Sequence, residues 1–318
     1  MSLRHIFTCV VFLAVSPAAT GAQNFPERPI RLIVAAAPGG ANDILGRMYA
    51  RHMSESLKQN VIVDNRGGGG GIIAAAIAAK APTDGYTLLY PTTSVVVNPT
   101  LNPNSNYSLK ELAPITQVAS FPIAVCVHPS VPAKTVPELI AFAKKQGGIN
   151  YGSSGTGSTN HLTGVLFSKL AGLPNVHIPF KGAGPMMTAF LGGEVQMGIT
   201  TAFSAVQHVN SGKIRAIAVS TPKPLDILPG VPPMATYFPG FHTDLWHGFF
   251  TSNGTPPMLI SRLHRELVKA FRMPDVTKAL ERGGALLIAS SPSEFAAVVA
   301  SDYKKYAELV KISGAKAD

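Results

Sequence analysis

Along the chain, short apolar runs of strand length alternate with stretches whose apolar residues recur at helical spacing. The run 30–34 ends at Ala35. After Pro38-Gly39-Gly40, the residues Ile44, Leu45, Met48 and Leu57 predict a helix over about 42–57 with Asn42 as its N-cap. Residues 61–63 predict a second strand, and five consecutive glycines, 67–71, then lead into an Ala-rich helix over 72–80. A third strand is expected at 86–90, with a polar loop over 98–107. Such alternation predicts an α/β lobe with a mostly parallel sheet, whose ligands collect beyond the C-terminal ends of the strands.

The extended run 115–127 is long enough to leave one lobe for another. Thr135 and Glu138 have capping-box spacing and open a helix that Gly147-Gly148 stops. Residues 150–161 then read Asn-Tyr-Gly-Ser-Ser-Gly-Thr-Gly-Ser-Thr-Asn-His, leading into a helix over 162–170. Strands at 176–180, 195–200 and 214–220, with helices at 185–191 and 202–210, repeat the α/β pattern. After a Pro-rich stretch at 222–240, the run 245–251, which holds the only Trp, is expected to cross back. Helices follow from Thr255-Pro256-Pro257 and from a second capping box, Ser291 with Glu294. The layout is two α/β domains joined by two crossing strands, with a groove between them. Domain 1 takes residues 23–123 and 243–318, and domain 2 takes 124–242.

Composition narrows the chemistry. With 46% hydrophobic and 14% charged residues the chain is globular and well packed. Its net charge of +10 is spread, the longest basic runs being Lys144-Lys145 and Lys304-Lys305. That distribution argues against nucleic acid and suits small anionic ligands. Arg4 and His5, the apolar run 6–15 and Thr20-Gly21-Ala22 form a secretory signal peptide, expected to be cleaved after Ala22, which makes the protein periplasmic. Cleavage would remove Cys9 and leave Cys126 alone, so the fold depends on its core rather than on a disulfide.

The glycine loops invite nucleotide readings, which the residues reject. No Gly-Lys-Ser/Thr follows 67–71, and no acid stands on the strand at 86–90 where a dinucleotide site needs one. No Gly-x-Ser-x-Gly elbow surrounds Ser153 or Ser154, although a hydrolase built on one of them and His161 stays open as an alternative. The histidines lack metal-ligand spacing, so neither a metal nor a cofactor is expected. Three helix N-termini remain, each preceded by Gly, Ser or Thr. Their first N–H groups lack intrahelical partners and favour anions. Within those loops the candidate ligand-binding residues are Ala36, Pro38, Gly39, Gly40 and Ala41, then Gly70 and Gly71. Ser153, Ser154, Gly155, Gly157, Ser158, Thr159 and His161 form the third group, and Thr200, at the end of the strand 195–200, completes the set. A first-turn acid such as Asp43 stabilises the helix dipole without touching a ligand.

The same stretches resemble the Bug family of extracytoplasmic solute receptors of tripartite tricarboxylate transporters. The likeness runs from residues 29–34 through Pro38-Gly39-Gly40-Ala41-Asn42-Asp43, to Asp64-Asn65-Arg66 with the glycine run, Asp84-Gly85-Tyr86 and Ala113-Pro114-Ile115-Thr116. It continues at Tyr151-Gly152-Ser153-Ser154-Gly155, at His177-Ile178-Pro179-Phe180-Lys181-Gly182 and at Gly254-Thr255-Pro256. The resemblance implies a type II-like periplasmic-binding-protein fold that closes on a small carboxylate. It also implies partners in the membrane subunits of a transporter, or in the outer domain of a sensor kinase if the receptor only signals; the receptor itself is expected to be a monomer. In that family the loop matching 36–43 holds a ligand carboxylate and the loop matching 153–161 holds the ligand from the other lobe. Two departures stand out. Ala35-Ala36 replaces bulkier residues, and Thr200 stands where many members carry Asp, which argues for a non-amino carboxylate.

Overall fold

The computed structural model describes residues 24–316 apart from 40, 68, 103, 104, 181 and 283. The signal-peptide reading therefore lies outside the described residues. The first lobe opens with β1 (Ile30–Val34), α1 (Ala41–Leu57), β2 (Val61–Asn65), α2 (Ile72–Ala79), β3 (Thr87–Tyr90) and α3 (Ser94–Leu101). β1 pairs in parallel with both β2 and β3, which is why its apolar run is buried on both faces.

The long strand β4 (Leu112–Val127) then leaves this lobe. The second lobe comprises α4 (Val136–Gln146), β5 (Asn150–Ser153), α5 (Thr159–Ala171), β6 (Val176–Pro179), α6 (Ala183–Leu191), β7 (Met197–Thr201), α7 (Ala202–Asn210) and β8 (Arg215–Val219). β9 (Asp244–Ser252) returns to the first lobe. α8 (Pro257–Phe271), α9 (Pro274–Arg282), β10 (Leu286–Leu287) and α10 (Pro292–Ser313) complete it.

β4 changes sheets in mid-strand. Up to Pro122 it pairs with β9, and from Ile123 it pairs with β7 and β8. Pro122 offers no N–H to either ladder and falls at the changeover, where one donor can be spared. Ser220 fastens the crossing: its Oγ accepts from the Ile123 N–H at 3.1 Å and donates to the Thr243 carbonyl at 2.6 Å. Both crossings are thus tied to one residue of the second lobe.

Each sheet is covered on both faces. In the first lobe Tyr49, Tyr90 and Phe249 pack on one side, and Trp246, Phe250 and Phe295 on the other. Burying aromatic and aliphatic side chains of this size contributes about 1.5–3 kcal/mol each relative to exposure. Helix α10 reaches across to the second lobe. Its Tyr306, Leu309 and Val310 share a buried cluster with Leu162 and Val165 of α5, and Lys169 pairs with Glu308 at 2.5 Å.

Four local expectations need correction. Helix α3 forms over a stretch with no expected element and takes in residues 98–101 of the expected loop, because burial of Val95, Val96 and Val97 outweighs their weak helix propensity and the Pro at 99. α9 and β10 were not expected at all. Asn42 is the second residue of α1 rather than its cap. Thr135 caps α4 by accepting the Glu138 N–H, but Glu138 returns its bond to the Lys134 N–H, so the box is not reciprocal there. Ser291 and Glu294 do form the full box.

Candidate functional site

Between the lobes lies a cavity of about 650 Å³. The first lobe contributes Gly70, Ile72, Thr92, Ser94 and Asn98, while the second contributes the loop 154–160. Among the described residues, none that lines the cavity is charged. Polar recognition therefore falls to amides, hydroxyls and the main chain.

The second-lobe wall is the start of α5. Ser158 is its N-cap: Ser158 Oγ accepts the His161 N–H at 3.2 Å, and the Ser158 N–H donates to the Gly155 carbonyl at 3.2 Å. Two of the four orphan N–H groups of the first turn are thereby satisfied. Those of Thr159 and Asn160 are left to face the cavity that both residues line. The Asn160 side chain is committed elsewhere, its Nδ2 donating to the Ile199 carbonyl at 2.9 Å.

Opposite stand two helix starts of the first lobe. Gly71 caps α2 in the left-handed region at φ 96, and Thr93 caps α3; neither makes a side-chain cap bond. At α3 the first-turn N–H groups are spent within the chain, those of Val95 and Val96 on the Thr92 and Thr93 carbonyls and that of Ser94 on Thr92 Oγ1, so this wall offers the start of α2 and the Thr92 and Ser94 hydroxyls, 3.0 Å apart. Asn98 fastens this wall by donating from Nδ2 to the Gly70 carbonyl at 2.9 Å. Leu101 reaches across and packs on Gly157: a Cβ there would lie 2.2 Å from Leu101 Cδ2, and φ is +74. Only glycine fits that position.

The α1 junction behaves differently. Ala35 lines the cavity, but Ala36, Pro38, Gly39 and Ala41 do not, and Pro38, Gly39 and Ala41 are exposed. Gly40 lies outside the described residues. Asp43 supplies the anion of this loop from within the chain. Its carboxylate accepts the Gly39 N–H at 2.8 Å, the Asn65 amide at 3.0 Å and the Arg47 guanidinium at 2.9 Å. The Gly39 amide, with Arg47 and Asn65, holds its carboxyl below the usual range.

Of the other expected residues, Gly70, Ser154, Gly155, Gly157, Ser158 and Thr159 line the cavity, and Gly71 abuts Ala35 and Ser94. Ser153 and His161 sit behind the loop. Ser153 Oγ lies 2.7 Å from His177 Nε2 and accepts the Gly155 N–H at 3.1 Å. His161 accepts the Gly157 N–H on Nδ1 at 3.1 Å and stacks on His177, with ring centroids 3.7 Å apart. Burial and then His177 push His161 down to about 3, and burial pushes His177 down to about 4, so both rings are neutral scaffolding. Ser153 is fully buried and spends its hydroxyl on the Gly155 carbonyl, which is the geometry of a loop brace rather than of a nucleophile. Thr200 is buried and does not line the cavity; its Oγ1 lacks a hydrogen-bond partner. Sequence reasoning missed Thr92, Ser94 and Asn98. The Thr-Thr-Ser before the valines was the available signal, a helix start hidden by residues that favour strands.

Known proteins are similar to this chain in sequence and in fold. The model of the tripartite tricarboxylate transporter family receptor, TctC, matches residues 45–314. Protein BugT of Bordetella pertussis is 33% identical over 99% of both chains. Among solved structures, Rpa4515 of R. palustris with adipate is 30% identical with a TM-score of 0.75, covering 91% of this chain and 98% of that one. MatC from Rhodopseudomonas palustris with bound malate is 26% identical with a TM-score of 0.73, covering 90% and 100%. Family and fold are those of a binding protein and not of an enzyme. With its two lobes, crossing strands and donor-lined cleft, the chain belongs to the TctC family of tripartite tricarboxylate transporter receptors, extracytoplasmic proteins that bind small carboxylates.

Proposed function

We propose that the cleft holds a small dicarboxylate without an amino group, one carboxylate on the start of α5 and the other on the start of α2 with the Thr92 and Ser94 hydroxyls. The observation that carries this reading is the lining: donors stand on both walls, and among the described residues no acid lines the cavity to partner an ammonium group. Charge-assisted bonds from fixed N–H groups in a cleft that closes are strong enough to replace an arginine clamp. Adipate and malate, held by the two similar receptors, are the natural first probes.

In this reading residues 1–22 direct export and are removed, and the monomeric receptor delivers its ligand in the periplasm to the membrane subunits of the transporter. The two lobes are residues 23–123 with 243–318, and 124–242. A thermal-shift screen tests the ligand class, since a ligand at one hundred times its Kd stabilises by about 2.7 kcal/mol. Adipate or malate should raise Tm by several degrees and aspartate should not. A response to aspartate or glutamate alone would overturn the proposal. Uptake of radiolabelled ligand with and without the gene separates transport from a receptor that only signals.

A further inference from the structure

A second cavity, of about 740 Å³, lies behind the crossing strands. Asp244 lines it, while the next residue, Leu245, lines the ligand cleft. Successive residues of a strand point to opposite faces, so the two cavities lie on opposite sides of β9. Both lobes wall the second one. Ser120, Ile288 and Val298 come from the first lobe, and Pro222, Leu225 and His242 from the second. The walls are mainly apolar, yet beside the Asp302–Lys305 ion pair they carry a further carboxylate.

That carboxylate is Asp244, 8% exposed. Ser120 donates to its Oδ1. Tyr306 bonds only the main chain of Asp244, and the Lys305 ammonium is spent elsewhere. Lys305 pairs with Asp302 at 2.7 Å and donates to the His242 carbonyl at 3.1 Å, and Asp302 also accepts the Trp246 indole N–H at 2.7 Å. His242 is kept neutral by burial and by Lys305, and Lys223 on the second-lobe wall is exposed. Among the described residues, no side-chain cation is paired with Asp244. Burial, with the charge of Asp302, raises its carboxyl to about 7 against the opposing effects of Ser120 and Lys305. A carboxylate so placed is costly to ionise alone and gains most from a cation that arrives with its own apolar body.

We propose that this cavity is a second binding site, for a small primary ammonium ion carrying an apolar alkyl or aryl group, with the ammonium on Asp244 and the apolar group against Leu225, Ile288 and Val298. It is distinct from the carboxylate cleft in position and in the charge it selects.

Benzylammonium is the probe, and the emission of Trp246, whose indole bonds the cavity-lining Asp302, is the readout. Titration of the full chain should be saturable. Affinity should rise about tenfold from pH 6 to pH 8, because only the ionised Asp244 pairs with the cation and it ionises near 7. Benzyl alcohol should bind at least tenfold more weakly. Asp244→Asn should weaken benzylammonium about tenfold and abolish its pH dependence, and Val298→Phe, which fills the cavity without touching the charge, should weaken both probes alike. Equal binding of the two probes to the native chain, a flat pH profile, or affinity unchanged in both variants would overturn the proposal.

Discussion

Two strand-to-helix junctions of similar composition end in opposite ways. At α1 the helix carries Asp43 in its first turn, four residues beyond Gly39, and that carboxylate folds back onto the loop amide. At α5 the cap is the Ser158 hydroxyl and no acid stands in the first turn, so the Thr159 and Asn160 amides remain for a guest. Both ends carry the same partial positive charge. What separates an occupied anion site from an open one is a single residue of the first turn.

The contrast is most exposed to acid. His161 serves the α5 loop only while Nδ1 is unprotonated, and its folded pKa lies far below the unfolded 6.5. The unfolded chain then binds more protons than the native one, so this contribution is complete above pH 6.5 and is lost as pH falls toward 3. Asp43, also depressed but from 3.8, gives way only below about pH 4. Asp244 acts in the other direction: its raised pKa adds stability as pH falls from 7 toward 3.8. The decisive comparison is therefore between the native chain and His161→Asn, which keeps an acceptor without the titration. Urea unfolding should show the variant gaining on the native chain by on the order of 3 kcal/mol between pH 6.5 and pH 4. Equal losses in both would mean that His161 does not hold the loop.

Glycine substitutions sharpen the comparison geometrically. Gly39 and Gly157 both sit at positive φ, +85 and +74, so alanine at either costs about 1–2 kcal/mol of stability. A Cβ at Gly39 meets open space, whereas one at Gly157 collides with Leu101 across the cleft. Gly157→Ala should lower affinity for the cleft ligand more than tenfold, and Gly39→Ala less than twofold, by calorimetric titration. A comparable loss at both would return the α1 loop to the binding surface.

Smaller effects should follow the caps. Ser158→Ala removes an N-cap worth about 1 kcal/mol and frees the loop that presents Thr159, so ligand affinity should fall roughly fivefold with Tm. Asp43→Asn loosens the α1 loop and should lower Tm by a few degrees with less than a twofold change in affinity. The reverse order in the two titrations would contradict the assignment of the open terminus to α5.

How far the residues announce this arrangement depends on the range of the interactions. The α/β alternation, the mid-strand crossing and the hydroxyl-rich loop of α5 are local patterns, and 115–127 could be read as leaving its lobe because no strand of that length fits one sheet. Asp43 was legible as a first-turn acid, but not as the ligand of its own loop, which depends on Gly39 curling back at positive φ. Helix α3 was hidden because valines and Pro99 argue locally against a helix that buried contacts impose. The stack of His161 on His177 joins residues 16 positions apart through two strands and a helix end, and no sequence period encodes it.

The central claim is that a carboxylate sits on the open start of α5 and not on the closed start of α1. An amide-resolved NMR titration with the dicarboxylate that most raises Tm tests it directly. The Thr159 and Asn160 amide protons should move strongly downfield, with Ile72 and Ser94 following and Gly39 unmoved. Strong shifts at Gly39 with Thr159 and Asn160 unmoved would contradict it.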